Sequence, residues 1–380
     1  MKIAIVQDEL VRRGGAEQVV LSMHKAYPQA PIYTLCYNPD KTYPEFKQAR
    51  IITSWFQKIG KSDKLVKMLF FPFAMWAMRA LDLSAYDVVL VSTTHCGKYI
   101  RVKENTKLIT YCHTPFRLAW RPESYENVIN KNIFTKWALL LASKLFRKTD
   151  LAASKRTDWY ITNAKEVKER IETTYHPRNK VTVINPSVKT ENFYVSEDVK
   201  EYYLVVCRLE PYKKVDVVID AFNQMPERQL IVVGKGSMEK ELYKKAGANI
   251  QFLHSLDARQ LAKIFADAQA LIFPQHEDYG ITPLEAAASG RPVIAYKEGG
   301  VNDTMIPYKG NALRSTALFF DTQTPHAIVN AVIQFEQLSF DPYFIKQHAE
   351  SFGEVHFIEQ LKTFVAKVTQ TQKAKALCTI

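Results

Sequence analysis

Cysteine is scarce: Cys36, Cys96, Cys112, Cys207 and Cys378 make an odd number with no CxxC or histidine-rich spacing. That argues against a disulfide framework and a structural zinc site, and makes a reduced, cytosolic setting the simplest fit. Long apolar runs are missing too. The most hydrophobic stretch, LVKMLFFPFAMWAM, is broken by Lys67 and Pro72, short of the roughly 18 residues that cross a bilayer. Met1 and Lys2 lead straight into IAIV, so the sequence predicts no cleaved signal peptide and a protein not integral to a membrane. The dinucleotide fingerprint GxGxxG is missing, which leaves a nicotinamide cofactor unsupported. Acidic residues are outnumbered, 39 against 51 Lys and Arg, for a net charge of +12. Charge of that sign suggests an anionic partner, phosphate, nucleic acid or lipid, without choosing among them.

What is present is a globular α/β composition: 380 residues, 47% hydrophobic, 24% charged and 12% aromatic. Lys2 to Val6 reads as a strand, followed by a glycine-containing loop and an amphipathic helix from about Ala16. DVVLVS, KLITYC and VTVIN continue the strand series to Asn185. Past Pro186 the pattern restarts with YYLVVC, QLIVVG, IQFL, ALIFP and PVIAY, with helices expected from about Val215, Ser237, Asp257 and Thr282. Strands alternating with helices imply parallel sheets. Two such arrays predict two doubly wound, Rossmann-like domains facing each other across a cleft, with ligands beyond the carboxyl ends of the strands. The expected boundaries are 1–190, 191–345 and a C-terminal segment 346–380. From about Asp341 to Lys367 that end reads as helix, expected to pack back on the N-terminal domain, and the polar tail TQTQKAKALCTI after it as disordered.

The window PQHEDYGITPLEAAASGRPVIAY carries the most chemistry. Thr282, Pro283 and Glu285 fit an N-cap, a first-turn proline and an N3 glutamate. Amides at Gly280, Ile281 and Thr282, with the helix dipole behind them, would then make an anion site. Glu285 is equally explained as a cap alone, whereas Glu277 has no structural role to account for it. In CRLEPYKK, just past a strand, Arg208 and Lys213 flank a turn where they could share a pyrophosphate, or simply be solvated charge. Gly14 and Gly15 lie in the first strand-to-helix connection, and Gly299 and Gly300 after PVIAY, as turns or as close approaches to a ligand. His113 ends the strand KLITYC before Thr114 and Pro115 and is the histidine placed best to touch a reacting group. The segments Trp55 to Arg79 and Lys131 to Lys148 mix Lys and Arg with Trp, Phe, Leu and Met. They suit a lipid headgroup boundary, or core helices with solvated lysine faces.

With these residues in view, the chain resembles the retaining family 4 glycosyltransferases of GT-B fold. HEDYGITPLEAAASGRPVIA is similar to their E-x7-E signature, with Glu277 and Glu285 in the acidic positions, and RLEPYKKVD to their donor-phosphate motif. RGGAEQVV, YCHTPFRLAW and EGGVND match in the expected order. The resemblance implies that Arg208 and Lys213 bind the donor pyrophosphate, Glu285 the nucleotide ribose and Glu277 the donor sugar. It puts Gly15 and Gly300 amides at the phosphates or sugar and His113 beside the anomeric centre. It also implies catalysis without a metal or other cofactor, positive side chains and helix-end amides stabilising the leaving diphosphate. The chain departs from the pattern at Ser187 and Lys189, at His254, at Asp303 and at Ala164.

The resulting expectation is a hexosyltransferase moving mannose from GDP-mannose to a lipid-linked or growing surface glycan, cytoplasmic and peripheral on the inner face of the plasma membrane. The lean to mannose rests on the similarity of HTPFRLAW to mannosyltransferases of bacterial surface polysaccharides. The alternatives are a UDP-sugar donor, a nucleotide-sugar epimerase or a phosphorylase of the same fold, and, outside enzymes, a basic protein that docks on lipid or nucleic acid; no RNA- or DNA-recognition motif is present, so no nucleic-acid partner is expected.

Overall fold

The structure, a computed structural model, describes residues 1–58, 73–125 and 132–377. Residues 59–72 and 131, within the two basic, aromatic segments, lie outside the described residues. The chain divides into two compact units, Met1–Ser187 with Phe357–Ile380, and Val188–His356.

Unit 1 is built on β1 (Ile3–Gln7), β2 (Ile32–Thr34), β3 (Ile51–Thr53), β4 (Val88–Thr93), β5 (Lys107–Cys112), β6 (Trp159–Thr162) and β7 (Thr182–Val183). All neighbours pair parallel, in the order β3-β2-β1-β4-β5-β6-β7. The central strands are buried along almost their whole length, which is why they read as unbroken apolar runs and not as alternation. Its main helices are α1 (Gly15–Ala26), α2 (Ile133–Ser154) and α3 (Lys165–Tyr175). α3 starts at Ala164 with no side-chain cap.

Unit 2 has β8 (Tyr202–Val206), β9 (Gln229–Val233), β10 (Ile250–Leu253), β11 (Ala270–Phe273), β12 (Val293–Tyr296) and β13 (Ala317–Phe320), again parallel, in the order β10-β9-β8-β11-β12-β13. Its main helices are α4 (Val215–Asn223), α5 (Ala258–Asp267), α6 (Ile281–Ala288), α7 (Pro325–Phe335) and α8 (Pro342–Glu350). α5 opens with a complete capping box: Gln260 N–H donates to the Asp257 carboxylate at 2.8 Å, and Asp257 N–H to the Gln260 side chain at 2.9 Å.

The C-terminal end departs from the single helix and disordered tail expected. α8 is capped by Asp341, whose carboxylate accepts Tyr343 N–H and Phe344 N–H. The chain then breaks at Ser351–Gly353, where Val188 N–H donates to the Phe352 carbonyl at 3.0 Å and Val188 bridges Gly353. A second helix, α9 (Glu354–Leu377), continues through most of the polar tail. Phe357, Leu361, Val365 and Val368 recur every three or four residues, and all four are buried in the core of unit 1 with Ile5, Ile32, Val88 and Ile109.

In each sheet the strand order reverses beside its first strand, between β1 and β4 and between β8 and β11. Connections leave in opposite directions there, so a crevice opens at the carboxyl edge.

Candidate functional site

The turns after β8 and β11 meet at the reversal point of unit 2. Past β8 the chain makes a short 3-10 turn, Pro211–Lys213, and Lys214 is left-handed with φ 56°. This turns Lys213 inward: it is 8% exposed, its ammonium pairs with the Glu277 carboxylate, and it stands 5.1 Å from the Tyr212 ring centroid. The exposed Arg208 donates from Nη2 to the Tyr212 hydroxyl at 2.5 Å. Gln275, 2% exposed, donates from Nε2 to Glu277 at 3.3 Å, while its own side-chain oxygen has no hydrogen-bond partner among the described residues. The structure therefore brings Arg208, Lys213 and Glu277 into one constellation with Tyr212 and Gln275, two residues that sequence reasoning missed.

The expected capping box at Thr282 does not form. α6 begins two residues earlier, with Gly280 as N-cap at φ 83° and no side-chain cap. Only a glycine takes that backbone region cheaply, so the loop ends at Gly280 and Pro283 falls in the first turn, where its missing N–H costs nothing. The first-turn amides of Ile281 and Thr282 have no intrahelical carbonyl. Glu285, one turn further along, caps nothing. No described residue hydrogen-bonds or pairs with its carboxyl; protein atoms surround it although it keeps some accessible surface, and this desolvation raises its pKa to about 7.

The glycine pair after β12 is explained by packing against the same loop. Gly299 has φ 87°, and a Cβ there would stand 2.3 Å from the Glu277 carbonyl. At Gly300 a Cβ would meet the Tyr279 Cα at 2.5 Å. Gly300 N–H donates to the Glu277 carbonyl at 2.9 Å, so the amide expected to face phosphate or sugar instead holds the Glu277 loop in place. Gly234 and Gly236, in VVGKGS, do likewise for the basic turn. Their Cβ atoms would lie 1.9 Å from the Cys207 carbonyl and 2.2 Å from the Leu209 carbonyl. Two glycines straight after a strand were the available sign. His254 stitches the neighbouring edge: its Nδ1 donates to the Gly234 carbonyl at 3.0 Å, which leaves Nε2 to accept the Tyr243 hydroxyl.

In unit 1, Gly14 is the N-cap of α1 in extended backbone, with φ −142°, and Gly15 is the first helical residue. Glu17, two residues on and 4% exposed, turns its carboxyl back to the Gly14 backbone and its own, with Arg12 3.5 Å away. A protein carboxyl thus already sits at this helix start. His113 follows β5; its N–H donates to the Thr93 carbonyl at 3.1 Å, and its Nε2 is 2.9 Å from the Ser92 hydroxyl.

The reversal point of unit 1 holds a residue the sequence reading passed over. Asp8, 2% exposed, follows β1 and accepts from Thr93 Oγ1 at 2.6 Å and Gly97 N–H at 2.5 Å on one oxygen. Its other oxygen accepts Thr94 N–H at 2.6 Å and Thr94 Oγ1 at 2.9 Å, and lies 2.7 Å from His95 Nδ1. Burial opposes its ionisation, but the His95 ring and these donors outweigh it and hold the carboxyl far below its usual range. Asp8, His95 and Cys96 come close enough to share an ion. However, the carboxylate lone pairs are taken by protein donors, and burial pushes the Cys96 thiol well above its ordinary pKa, so this set fits a polar knot better than a metal site.

A second buried network fixes the HTPFRLAW segment. Lys98 Nζ is 2.7 Å from Asp150, both almost wholly buried. Trp120 Nε1 and the Tyr175 hydroxyl donate to Asp150 at 2.8 and 2.7 Å, and Phe116 N–H donates to Tyr175 at 3.3 Å.

Two doubly wound parallel sheets, with glycine-bearing and charged turns beyond the reversal points, define a protein of the GT-B class. The solved structure of Anabaena HepE in complex with UDP matches with a TM-score of 0.68 over 97% of this chain and all of that one, at 17% identity. Among curated sequences, the O-antigen chain mannosyltransferase RfbU of Salmonella typhimurium is 23% identical, covering 76% of this chain and 81% of the relative. The alpha-1,3/1,6-mannosyltransferase ALG2 of Candida glabrata is also 23% identical, covering 81% of this chain and 79% of that protein. The family description Glycosyltransferase Family 4 matches residues 13–192 and Glycosyl transferases group 1 matches residues 189–354. The chain belongs to the family 4 glycosyltransferases.

Proposed function

We propose that the protein is a retaining, metal-independent mannosyltransferase that uses GDP-mannose and elongates a lipid-linked surface glycan at a membrane. The observation that carries the donor half of this reading is the Lys213 and Glu277 pair, with Arg208 beside it at the reversal point of unit 2. Lys213 and Arg208 neutralise the diphosphate as the glycosidic bond breaks, and the first-turn amides of α6 add oriented dipoles. Glu277, freed from Lys213 when phosphate takes its place, accepts hydrogen bonds from the sugar hydroxyls. Glu285 accepts from the ribose, which its ionised form does best. The mannose assignment is supported by the two relatives matched over 81% and 79% of their lengths, both named as mannosyltransferases. A UDP-sugar donor is the second reading, favoured by the UDP in the HepE structure.

Calorimetric titration with GDP, UDP and ADP under chelator separates the two donors. Tighter binding of GDP supports the first reading, and tighter binding of UDP replaces it. In transfer assays Lys213→Ala and Glu277→Ala should lower kcat/KM at least about 100-fold in variants that still melt cooperatively. Unchanged turnover in both folded variants would remove the assignment. The anomeric configuration of the product, read by proton NMR, tests retention.

A further inference from the structure

We propose that the outward face of α2 is a docking surface for an anionic lipid bilayer. The inference rests on the proposed lipid-linked acceptor only for its biological sense, and its physical basis is independent. An α-helix advances 100° per residue, so the buried residues Ser143, Phe146, Asp150 and Ala153 share one face. Phe134, Trp137, Leu141 and Leu145 recur every three or four residues on the opposite face. They are 82, 67, 72 and 53% exposed. Scattered surface leucines need no explanation, but an aligned apolar stripe with an aromatic at its middle does.

Charge chooses the partner. Lys136, Lys144 and Lys148 are exposed along the same helix, and its single carboxylate, Asp150, is buried on the inner side against Lys98. The outward surface therefore offers apolar groups and cations with no exposed anion of its own, as expected of a helix lying in the headgroup plane of an acidic leaflet. No helix of the described residues is long and apolar enough to cross a membrane, so the contact is along the surface. Chain-wide charge of +12 works in the same direction.

The test is sedimentation of the full chain, without nucleotide, with vesicles of phosphatidylcholine alone or mixed with phosphatidylglycerol. Binding should be confined to the anionic vesicles and weaken as salt screens the lysines. Trp137→Ser with Leu141→Ser should weaken it at least about tenfold without moving the melting temperature, since both side chains are exposed. Lys144→Glu with Lys148→Glu should abolish the preference for phosphatidylglycerol. Equal binding to both vesicles, or unchanged binding of the variants, would overturn the proposal. So would a dimer in ultracentrifugation that Trp137→Ser converts to monomer, because the stripe would then serve a second copy. Nucleotide titration of the same variants without vesicles should match the parent protein, so failure of the donor reading and failure of docking are seen separately.

Discussion

Glu285 is a carboxyl without a partner among the described residues, in a place that disfavours its charge, and its rise to about 7, against an ordinary 4.5, follows from desolvation. The folded state keeps a proton that the unfolded chain releases, so this group's contribution to stability is present at low pH and is lost as pH rises through that window. Glu285→Gln should therefore gain about 1–3 kcal/mol on the parent protein between pH 4 and pH 8 in urea titrations, while losing nucleotide affinity. A gain with no loss of affinity would return Glu285 to a structural role. Asp8 shows why another carboxyl escaped sequence reading. Its partners lie 85 to 89 residues away, and one acid after a strand carries no sign of them. Ser187, a departure from the family pattern, makes a contact as distant in sequence: its hydroxyl is 2.9 Å from that of Ser22, 165 residues away.

At the scale of elements, the strands were legible because parallel strands buried on both faces leave short apolar runs between helical stretches. Helix starts were legible where a side chain caps, as at Asp257, and misread where backbone geometry decides. The start of α6 depends on the positive φ of Gly280, and Thr282 with Glu285 two and five residues later imitates a capping box that the chain does not use. The basic turn and the acidic loop could be placed as strand-end turns, but their union through Lys213 and Glu277 needed the order in which β8 and β11 become neighbours. Gly299 and Gly300 hold that loop from behind. Gly300→Ala should cost about 1–3 kcal/mol, because its Cβ meets the Tyr279 backbone, and should weaken nucleotide binding by moving the Glu277 loop that its amide holds. Calorimetric melting with a binding titration checks both, and an intact melting curve would refute the packing argument.

For the whole molecule, the consequential feature is that unit 1 is discontinuous: the stretch ending at Ser187 is closed by α9, which follows unit 2 in the chain, while unit 2 occupies one uninterrupted stretch. Ending the chain at His356 removes four buried side chains of α9 from the unit 1 core. At about 1.5–3 kcal/mol each, their loss equals the stability of a typical domain, about 5–15 kcal/mol. The truncated chain should show a single cooperative transition, from unit 2, with exposed apolar surface detectable by dye binding. A second transition would mean that α9 adds little.

The same feature sets a schedule for synthesis. A ribosome making about 5–20 residues per second needs roughly 10–40 s to travel from the end of β7 to the end of α9. Throughout that interval the nascent sheet of unit 1 lacks the helix that covers one side of it, whereas unit 2 is complete before α9 is. The half made first is thus finished last, and during the wait its apolar face is a substrate for chaperones.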